Sequence, residues 1–262
     1  MLKGAFIMPT AKRKILVTGS SGQIGSELVP VLRERYGAQN VVACDIKPLE
    51  EGSDPFELVD VTDREALEGA IRKHRVGTIY HLVSILSASG EKNPALAWSV
   101  NIESLRNVLD LGLQHKMEKV FWPSSIAAFG PHTPRIHTHQ LTVMDPNTMY
   151  GITKVTGELL CNYYFVKYAL DVRCLRYPGI ISWKTPPGGG TTDYAVAIFH
   201  GALRVFGQIN GASCFRIERL STDRGLAFDV VNASRPRCMG IRLLAPGGNE
   251  HHYCQKNISS RA

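Results

Sequence analysis

Short apolar runs alternate with amphipathic segments over residues 14–203. Apolar runs rich in Val and Ile predict buried parallel strands, and apolar residues spaced three or four positions apart predict helices. The predicted strands cover residues 15–17, 41–44, 57–63, 78–84 and 120–125, and predicted helices follow residue 24, cover residues 64–74 and 98–113, and carry Tyr150. This alternation is typical of the α/β class, so we predict a Rossmann-type, doubly wound parallel sheet with helices on both faces.

The ends and faces of two helices can be predicted in more detail. The apolar face of the first helix is predicted to consist of Ile24, Leu28, Val31 and Leu32. Pro30 lies inside this helix and is expected to kink it. Thr62 or Asp63 is expected to cap the helix at residues 64–74, because either side chain can accept a hydrogen bond from the first turn.

A glycine-rich turn separates the first strand from the first helix. Gly19 allows a sharp turn, Gly22 removes a Cβ that would block a diphosphate, and Gly25 lets the helix lie close to the strand. The N-terminus of the helix then offers free N–H groups to phosphate. The residues predicted to hold the diphosphate of a dinucleotide are Gly19, Ser20, Ser21, Gly22, Gln23, Ile24 and Gly25.

Carboxylates at the ends of later strands predict how the nucleoside is recognised. Asp45 stands twenty positions after Gly25, where a carboxylate binds the ribose hydroxyls and repels a 2′-phosphate, so NAD is favoured over NADP. Asp60 is placed either to reach the adenine amino group or to serve an ordinary capping role. Further residues predicted to line the cofactor site are Ile46, Lys47, Val61, Leu82, Ser84, Tyr150 and Lys154.

The candidate catalytic residues follow the strand at residues 120–125. Tyr150 and Lys154 are four residues apart on one side of a helix, so the lysine cation can lower the pKa of the phenol. A tyrosine base at neutral pH needs a pKa about 3 units below its usual value of about 10. Ser125, at the end of the strand, is expected to hold the substrate oxygen, while a hydride passes to the cofactor.

These motifs together resemble the extended short-chain dehydrogenase/reductase family, also known as the NAD-dependent epimerase/dehydratase superfamily. Within it, the chain is most similar to the short-chain type of L-threonine 3-dehydrogenases. The residues that carry the closer resemblance are 86–91 (LSASGE), 176–181 (RYPGII) and 187–195 (PGGGTTDYA). The resemblance covers about residues 14 to 203 by motif placement.

The resemblance implies a reaction, a substrate site and an assembly. Tyr150 would deprotonate the β-hydroxyl of L-threonine, NAD would take the C3 hydride, and the product would be 2-amino-3-oxobutyrate. Residues expected to meet the substrate are Ser87, Ser125, Tyr150, Thr191 and Thr192, and Ile180 is expected to pack on the nicotinamide. A homodimer through the helices at 98–113 and 150–168 and a mitochondrial location, otherwise a cytoplasmic one, are also implied.

Composition and charge restrict the partners. The net charge is +7, of which +5 falls after residue 203, where the arginines are scattered rather than clustered, so no nucleic-acid partner is predicted. No apolar run approaches the ~20 residues of a membrane span. The six cysteines show no C-x-x-C spacing, so we predict reduced thiols and no metal site.

Both ends of the chain depart from the family pattern. Residues 1–13 are basic and acid-free, as in a presequence remnant or a disordered leader, and residues 14–203 form the predicted NAD-binding domain. Residues 204–262 show no sustained helical period and only short alternations at 214–217 and 227–231. We therefore expect the substrate domain to be truncated or replaced by a divergent, poorly ordered tail, with weak or lost turnover.

Two further functions stay open. A nucleotide-sugar epimerase or dehydratase uses the same glycine turn and Tyr–Lys pair, although residues 188–194 count against it. A catalytically inactive NAD-binding remnant is favoured by the abrupt change in pattern at Arg204.

Overall fold

The computed structural model of the chain describes residues 13–48, 55–181, 193–210, 215–222 and 225–232. Internal contacts divide the chain between Val196 and Ala197 into two units, and the predicted boundary after Leu203 stays a prediction. The predicted leader, apart from Arg13, and Thr191 and Thr192 lie outside the described residues. Within the described ranges, no helix has the length and apolar character needed to cross a membrane.

A six-stranded, fully parallel sheet forms the centre of the first unit. Its strands are β1 (Lys14–Thr18), β2 (Val41–Asp45), β3 (Phe56–Leu58), β4 (Val76–His81), β5 (Lys119–Ser125) and β6 (Val172–Tyr177). The spatial order is β3-β2-β1-β4-β5-β6, so the winding reverses between β1 and β4. The crevice beyond this reversal point is where doubly wound sheets bind ligands, and the predicted Rossmann-type fold class is confirmed.

Helices cover both faces of the sheet. They are α1 (Gly25–Tyr36), α2 (Arg64–His74), α3 (Ser87–Lys92), α4 (Pro94–Trp98), α5 (Ser104–Gln114) and α6 (Met149–Tyr168). Consecutive residues of β1 point to opposite faces: Leu16 belongs to a core with α2, α5 and α6, whereas Val17 belongs to a second core with α1. This alternation follows from the two-residue period of a strand.

The predicted apolar face of α1 is wrong at Val31. Val31 is 57% exposed, whereas Val29 and Leu32 are buried. Because α1 begins at Gly25, its inward positions follow the helical period as residues 25, 29 and 32, which places Val31 on the outer side. The helix runs through Pro30, whose side chain faces solvent.

Several predicted element ends differ from the structure. The strand predicted at 57–63 pairs only over Phe56–Leu58, because the Asp60 carboxylate accepts hydrogen bonds from the Thr62 N–H and hydroxyl and turns the chain. Asp63 rather than Thr62 caps α2, by accepting from two N–H groups of its first turn. The strand predicted at 78–84 is β4, which begins and ends earlier.

The helix predicted at 98–113 belongs to a longer helical run from Pro94 to Gln114. Its middle part, Ser99–Glu103, has the wider π-helical hydrogen bonding that connects α4 to α5. Asn101 and Ile102 are the buried residues of this segment. A π-helical turn rotates the residues that follow it, and such turns often occur near functional sites.

The second unit contains regular structure where the sequence indicated only short alternations. Helix α7 (Tyr194–Asn210) begins before the division and continues past Arg204. Strands β7 (Phe215–Thr222) and β8 (Gly225–Asn232) form an antiparallel pair. The predicted absence of a helical period directly after residue 203 is therefore wrong as far as Asn210.

Candidate coenzyme and catalytic site

The glycine turn after β1 adopts a conformation that its glycines make possible. Gly19 has φ +71°, in the left-handed region that favours glycine. A Cβ on Gly25 would lie 2.3 Å from the Gly19 carbonyl oxygen and 2.6 Å from the Ser20 Cα. Gly25 is therefore required for the close approach of α1 to the turn itself, rather than to the strand as predicted. A Cβ on Gly22 would be 3.2 Å from the Gly19 oxygen.

Two hydroxyls in this turn fit a bound polar ligand. Within the described ranges, the side-chain oxygens of Ser20 and Ser21 are enclosed and have no hydrogen-bond partner in the protein. A buried hydroxyl without a partner costs about 1–3 kcal/mol, so such groups are uncommon unless a ligand or water satisfies them. The Ser26 N–H donates to the Gly22 carbonyl, and the Glu27 and Leu28 N–H groups donate to the Ile24 carbonyl, so α1 contributes the positive end of its dipole rather than these N–H groups. The turn thus offers donors and positive dipole charge suited to a diphosphate.

Asp45 lies at the end of β2 beside the glycine turn. Its Oδ2 accepts a hydrogen bond of 2.9 Å from the Ser21 N–H, and its Oδ1 accepts one of 3.2 Å from the Lys47 N–H. These two bonds fix the carboxylate at the edge of the crevice, next to the residues predicted to hold the diphosphate. The exposed Asp60 carboxylate is engaged with Thr62, which favours the capping role over an adenine contact.

Residues distant in sequence meet the glycine turn from the other side of the crevice. The Gln23 side-chain amide donates a 3.1 Å hydrogen bond to the Ile180 carbonyl, which follows β6. The Leu82 N–H donates to the Thr18 carbonyl, so the chain after β4 stays beside the end of β1. The structure therefore brings together the two ends of the predicted cofactor site, whereas Ile46 is mostly exposed and Val61 is buried in the core.

Ser125 and Tyr150 come together because α6 packs closely on the end of β5. A Cβ on Gly151 would lie 2.4 Å from the Ala127 carbonyl oxygen, so only glycine allows this approach. The phenol of Tyr150 lies in hydrogen-bonding contact with Ser125. The Ser125 oxygen also accepts a 3.1 Å bond from the Ala127 N–H, which fixes its position.

Lys154 is enclosed one turn after Tyr150. It is 2% exposed, and its Nζ donates a 2.8 Å hydrogen bond to the Pro123 carbonyl. The ammonium lies 4.4 Å from the centroid of the Trp122 ring and 5.2 Å from that of the Tyr150 ring. Burial lowers the pKa of Lys154 to about 7, because desolvation disfavours the cation.

The expected lowering of the phenol pKa by Lys154 is not produced by these side chains alone. Burial raises the pKa of Tyr150, and the hydrogen bond with Ser125 acts in the opposite direction with the smaller effect. The physical reason is that the same enclosure that brings Lys154 near also removes water from the phenolate.

The predicted substrate residue Ser87 begins α3, opposite the start of α6. A carboxylate oxygen of Glu91 accepts a 2.7 Å hydrogen bond from the Met149 N–H, which joins α3 to the start of α6. Ser84 donates a 3.3 Å bond to the Asn101 amide oxygen.

Asn101 is a buried amide that links two segments of the candidate site. Its amide oxygen accepts from the Ile85 N–H at 2.7 Å, and its Nδ2 donates to the Ile85 carbonyl and to the Thr153 hydroxyl. Asn101 thus ties the segment after β4 to the residue beside Lys154. His81 has no predicted role and is a packed core histidine, bonded to Thr18 and Ser104.

A second group that sequence reasoning missed lies one turn beyond Lys154. Glu158 accepts a 2.5 Å bond from the Ser124 hydroxyl and forms a two-pronged ion pair with Arg176, at 2.8 and 2.7 Å. The spacing of four residues between Lys154 and Glu158 was the available signal, but the partner on β6 could not be inferred from it. A cleft of about 220 Å³ lies beside this pair and contains none of the predicted substrate residues.

The described part of the chain contains no group of three or more His, Cys, Asp or Glu side chains that could hold a metal ion. Cys44, Cys161 and Cys174 are free thiols, as predicted for these three.

The fold and the glycine turn define a dinucleotide-binding protein of the Rossmann class. The sequence profile of the NAD dependent epimerase/dehydratase family matches residues 15–202, well over half of the chain, and the chain belongs to this family. Membership supports a nicotinamide coenzyme and a small-molecule substrate.

Known proteins place the chain further within this family. An uncharacterized epimerase/dehydratase of Staphylococcus saprophyticus is 48% identical over 225 residues, which is 84% of this chain and 69% of that protein. The solved structure of a GalE-like L-threonine dehydrogenase from Cupriavidus necator, in its holo form, is 52% identical with a TM-score of 0.70, covering 73% of this chain and 63% of that one. L-threonine dehydrogenase from Clostridium difficile is 51% identical with a TM-score of 0.69, covering 73% and 61%.

The chain thus spans less than two thirds of these two solved structures and 61% to 69% of the curated relatives. Those curated relatives come from Staphylococcus species, bacteria that have no mitochondria. The predicted mitochondrial location is therefore wrong, whereas the cytoplasmic alternative fits them.

Proposed function

We propose that the protein oxidises L-threonine at its β-hydroxyl and uses NAD as the hydride acceptor. The observation that carries this proposal is the convergence of Ser125, Tyr150 and Lys154 at the end of β5. The similarity to solved L-threonine dehydrogenases supports threonine over other secondary alcohols.

The binding of NAD is proposed from three features. The unpartnered hydroxyls of Ser20 and Ser21 and the start of α1 suit the diphosphate. The Asp45 carboxylate is held at the end of β2, where it would accept hydrogen bonds from ribose hydroxyls and repel a 2′-phosphate. Ile180, beside Gln23, would pack on the nicotinamide side.

The chain's own residues would then handle the proton. Tyr150 accepts the proton of the substrate hydroxyl as a phenolate, and Ser125 holds the same substrate oxygen by a hydrogen bond. Lys154 stabilises the phenolate by its charge, 5.2 Å from the ring centroid. NAD, when bound, would supply the acceptor for the C3 hydride, and the product would be 2-amino-3-oxobutyrate.

The lowering of the Tyr150 pKa needed for this step is large. A drop of about 3 units corresponds to about 4 kcal/mol of differential stabilisation of the phenolate. Because burial raises the pKa of Tyr150, the charge of Lys154 and that of the oxidised coenzyme must together exceed this opposing effect. We therefore expect the phenol to become a base only in the loaded site.

Substrate orientation would come from Ser87 and from Thr191 and Thr192, of which the last two lie outside the described residues. The chain spans only part of the length of its relatives. The oxidation of L-threonine by this chain is therefore a proposal. An inactive NAD-binding protein remains the alternative.

The test is reduction of NAD with L-threonine, L-serine and a UDP-sugar as separate substrates. The proposal expects NADH formation with threonine, and none with the UDP-sugar. Turnover of the UDP-sugar alone would favour the nucleotide-sugar epimerase or dehydratase, the runner-up that shares this family. No turnover, with NAD still raising the melting temperature, would favour the inactive NAD-binding protein.

A homodimer through α6 is also proposed. The outer side of this helix exposes Ile152, Leu159, Tyr163 and Val166, which are spaced as one helical face. An apolar stripe of this kind is typical of a protein interface. Light scattering should give twice the chain mass for the wild type and the single mass for Leu159→Glu; a wild-type monomer would contradict the dimer.

A further inference from the structure

The carboxylate of Glu158 lies where three elements of the proposed site meet. Ser124 on β5 donates to Glu158 on α6, and Arg176 on β6 pairs with the same carboxylate. Ser124 and Arg176 are direct partners in the β5–β6 register. The two charged side chains are 15% and 13% exposed, and Ser124 is 2% exposed. One half-buried carboxylate therefore fastens the ends of two strands to one helix.

These contacts fix the register of α6 against β5 immediately before Ser125. Lys154 donates to the carbonyl of Pro123, and Glu158 accepts from the hydroxyl of the next residue, Ser124. Two side chains one helical turn apart thus bind two consecutive strand residues. Because Ser125 follows directly and Tyr150 lies one turn earlier on α6, this double contact sets their separation.

The same carboxylate supplies a charge close to Lys154. Residues four apart on a helix are neighbours, with Cβ atoms about 5–6 Å apart. The titratable groups near Lys154 are Tyr150, Glu158 and Cys161 on α6, Cys174 on β6 and His81 on β4. Arg176 on β6 is the ion-pair partner of Glu158.

Three of these neighbours carry no charge near neutral pH, whereas the pKa of the Cys174 thiol is lowered by its hydrogen bond with Cys161. Burial keeps the pKa of His81 at about 3, so the imidazole is neutral, and burial raises the pKa of Tyr150. The pKa of the Cys161 thiol is raised, first by its hydrogen bond with Cys174 and then by burial. The pKa of Glu158 is lowered by Arg176 and Ser124, which outweigh its burial, so the carboxylate is ionised.

We propose that Glu158 is a positioning residue of the reaction, which fastens α6 to the strand ends and supplies a negative charge that favours the protonated form of the enclosed Lys154. This inference rests on the proposed function, since it is through Lys154 that Glu158 would act on Tyr150. Arg176 holds the carboxylate in place and, by pairing with it, offsets part of its negative charge.

The test is the titration of Lys154 itself, followed by NMR of the full chain carrying carbon-13 at lysine Cε, with Lys154→Arg to assign the resonance. Removal of the negative charge in Glu158→Gln should lower the midpoint by about 0.5–1 unit. Removal of the positive charge in Arg176→Gln should raise it. Glu158→Asp, which keeps the charge, should stay near the wild-type midpoint.

Glu158→Gln and Arg176→Gln break the same ion pair but remove charges of opposite sign. Opposite shifts of the Lys154 midpoint in the two variants would therefore be an effect of charge rather than of lost structure. A merely structural pair would give shifts in one direction with equal loss of stability, and this result would overturn the proposal. Cys174→Ser is the matched control, because Cys174 is another titratable group near Lys154. A shift of the Lys154 midpoint in Cys174→Ser with no shift in Glu158→Gln would also overturn the proposal. If Glu158→Gln does not fold, Arg176→Gln and Cys174→Ser decide the question.

A second readout is the pH dependence of threonine oxidation. In Glu158→Gln the alkaline limb of kcat should move to lower pH, because Lys154 loses its proton sooner, while KM changes less than kcat. An unmoved limb with a uniformly lower kcat would contradict the charge role. If the wild-type protein does not oxidise threonine, the proposed function fails, and the titration of Lys154 still decides the role of Glu158.

Discussion

The substitution Gly25→Ala tests the glycine turn with a single added methyl group. The new Cβ would lie 2.3 Å from the Gly19 carbonyl oxygen and 2.6 Å from both the Ser20 Cα and the Ser20 carbonyl oxygen. All three neighbours are backbone atoms, so relief requires α1 or the turn to move by about 1 Å to reach ordinary contact distance. Overpacking of this kind costs about 1–3 kcal/mol, and we expect the upper end.

Gly69→Ala is the matched control, because Gly69 lies inside α2 and an added Cβ meets nothing within 4 Å. Alanine is the better helix former, so this change should stabilise the protein by about 0.5–1 kcal/mol. Replacement of glycine by alanine is thus expected to lower the free energy of unfolding at Gly25 and to raise it at Gly69. Urea denaturation followed by circular dichroism measures both.

The coenzyme response adds a functional readout to the same pair. At a hundredfold excess over Kd, NAD should stabilise the wild type and Gly69→Ala by about 2.7 kcal/mol. Gly25→Ala should lose most of this gain, because the turn that would hold the diphosphate has moved. Unchanged stability and an undiminished response to NAD in Gly25→Ala would refute the assignment of this turn.

Three further predictions address the base, the core and the thiols. Tyr150→Phe should lower kcat for threonine by about 10²–10⁴-fold while leaving the NAD affinity near the wild-type value; unaltered turnover would exclude it as the base. Burial holds the pKa of His81 at about 3, whereas the pKa in the unfolded chain is about 6.5. The contribution of His81 to the free energy of unfolding should therefore be fully present above pH of about 6.5 and fall by up to about 1.4 kcal/mol per pH unit below it. His81→Asn should flatten this slope in denaturation curves at several pH values. Burial raises the pKa of Cys44 to about 12, so iodoacetamide should label it only after unfolding, as read by mass spectrometry; rapid labelling in the native protein would contradict its burial.

Local patterns predicted the elements that organise the site. The order of apolar runs predicted the parallel sheet, and the three glycines between β1 and α1 predicted the turn, since both depend on residues close in sequence. The phase of α1 could not be read with the same accuracy, because Val29 and Val31 are equally apolar. Which of them is buried depends on the face that α1 packs against the sheet, where Val29 and Leu32 contact the cluster of Val17.

The contacts that support the candidate catalytic residues are tertiary and left little local signal. Glu158 reads in the sequence as an ordinary helix glutamate, and its role depends on the register that places Ser124 opposite Arg176. The raised pKa of Tyr150 likewise follows from burial, which the spacing of Tyr150 and Lys154 does not reveal. Asp60 was ambiguous for a similar reason, because its bonds to Thr62 depend on where β3 ends.

A crystal structure of the full chain grown with NAD tests the central claim most directly. We expect the diphosphate against the turn from Gly19 to Gly25, with the Ser20 and Ser21 hydroxyls bonded to the coenzyme or its bound water. We also expect the ribose hydroxyls at Asp45 and the Tyr150 phenol beside the nicotinamide. A coenzyme bound elsewhere, or a phenol directed away from the ring, would contradict it.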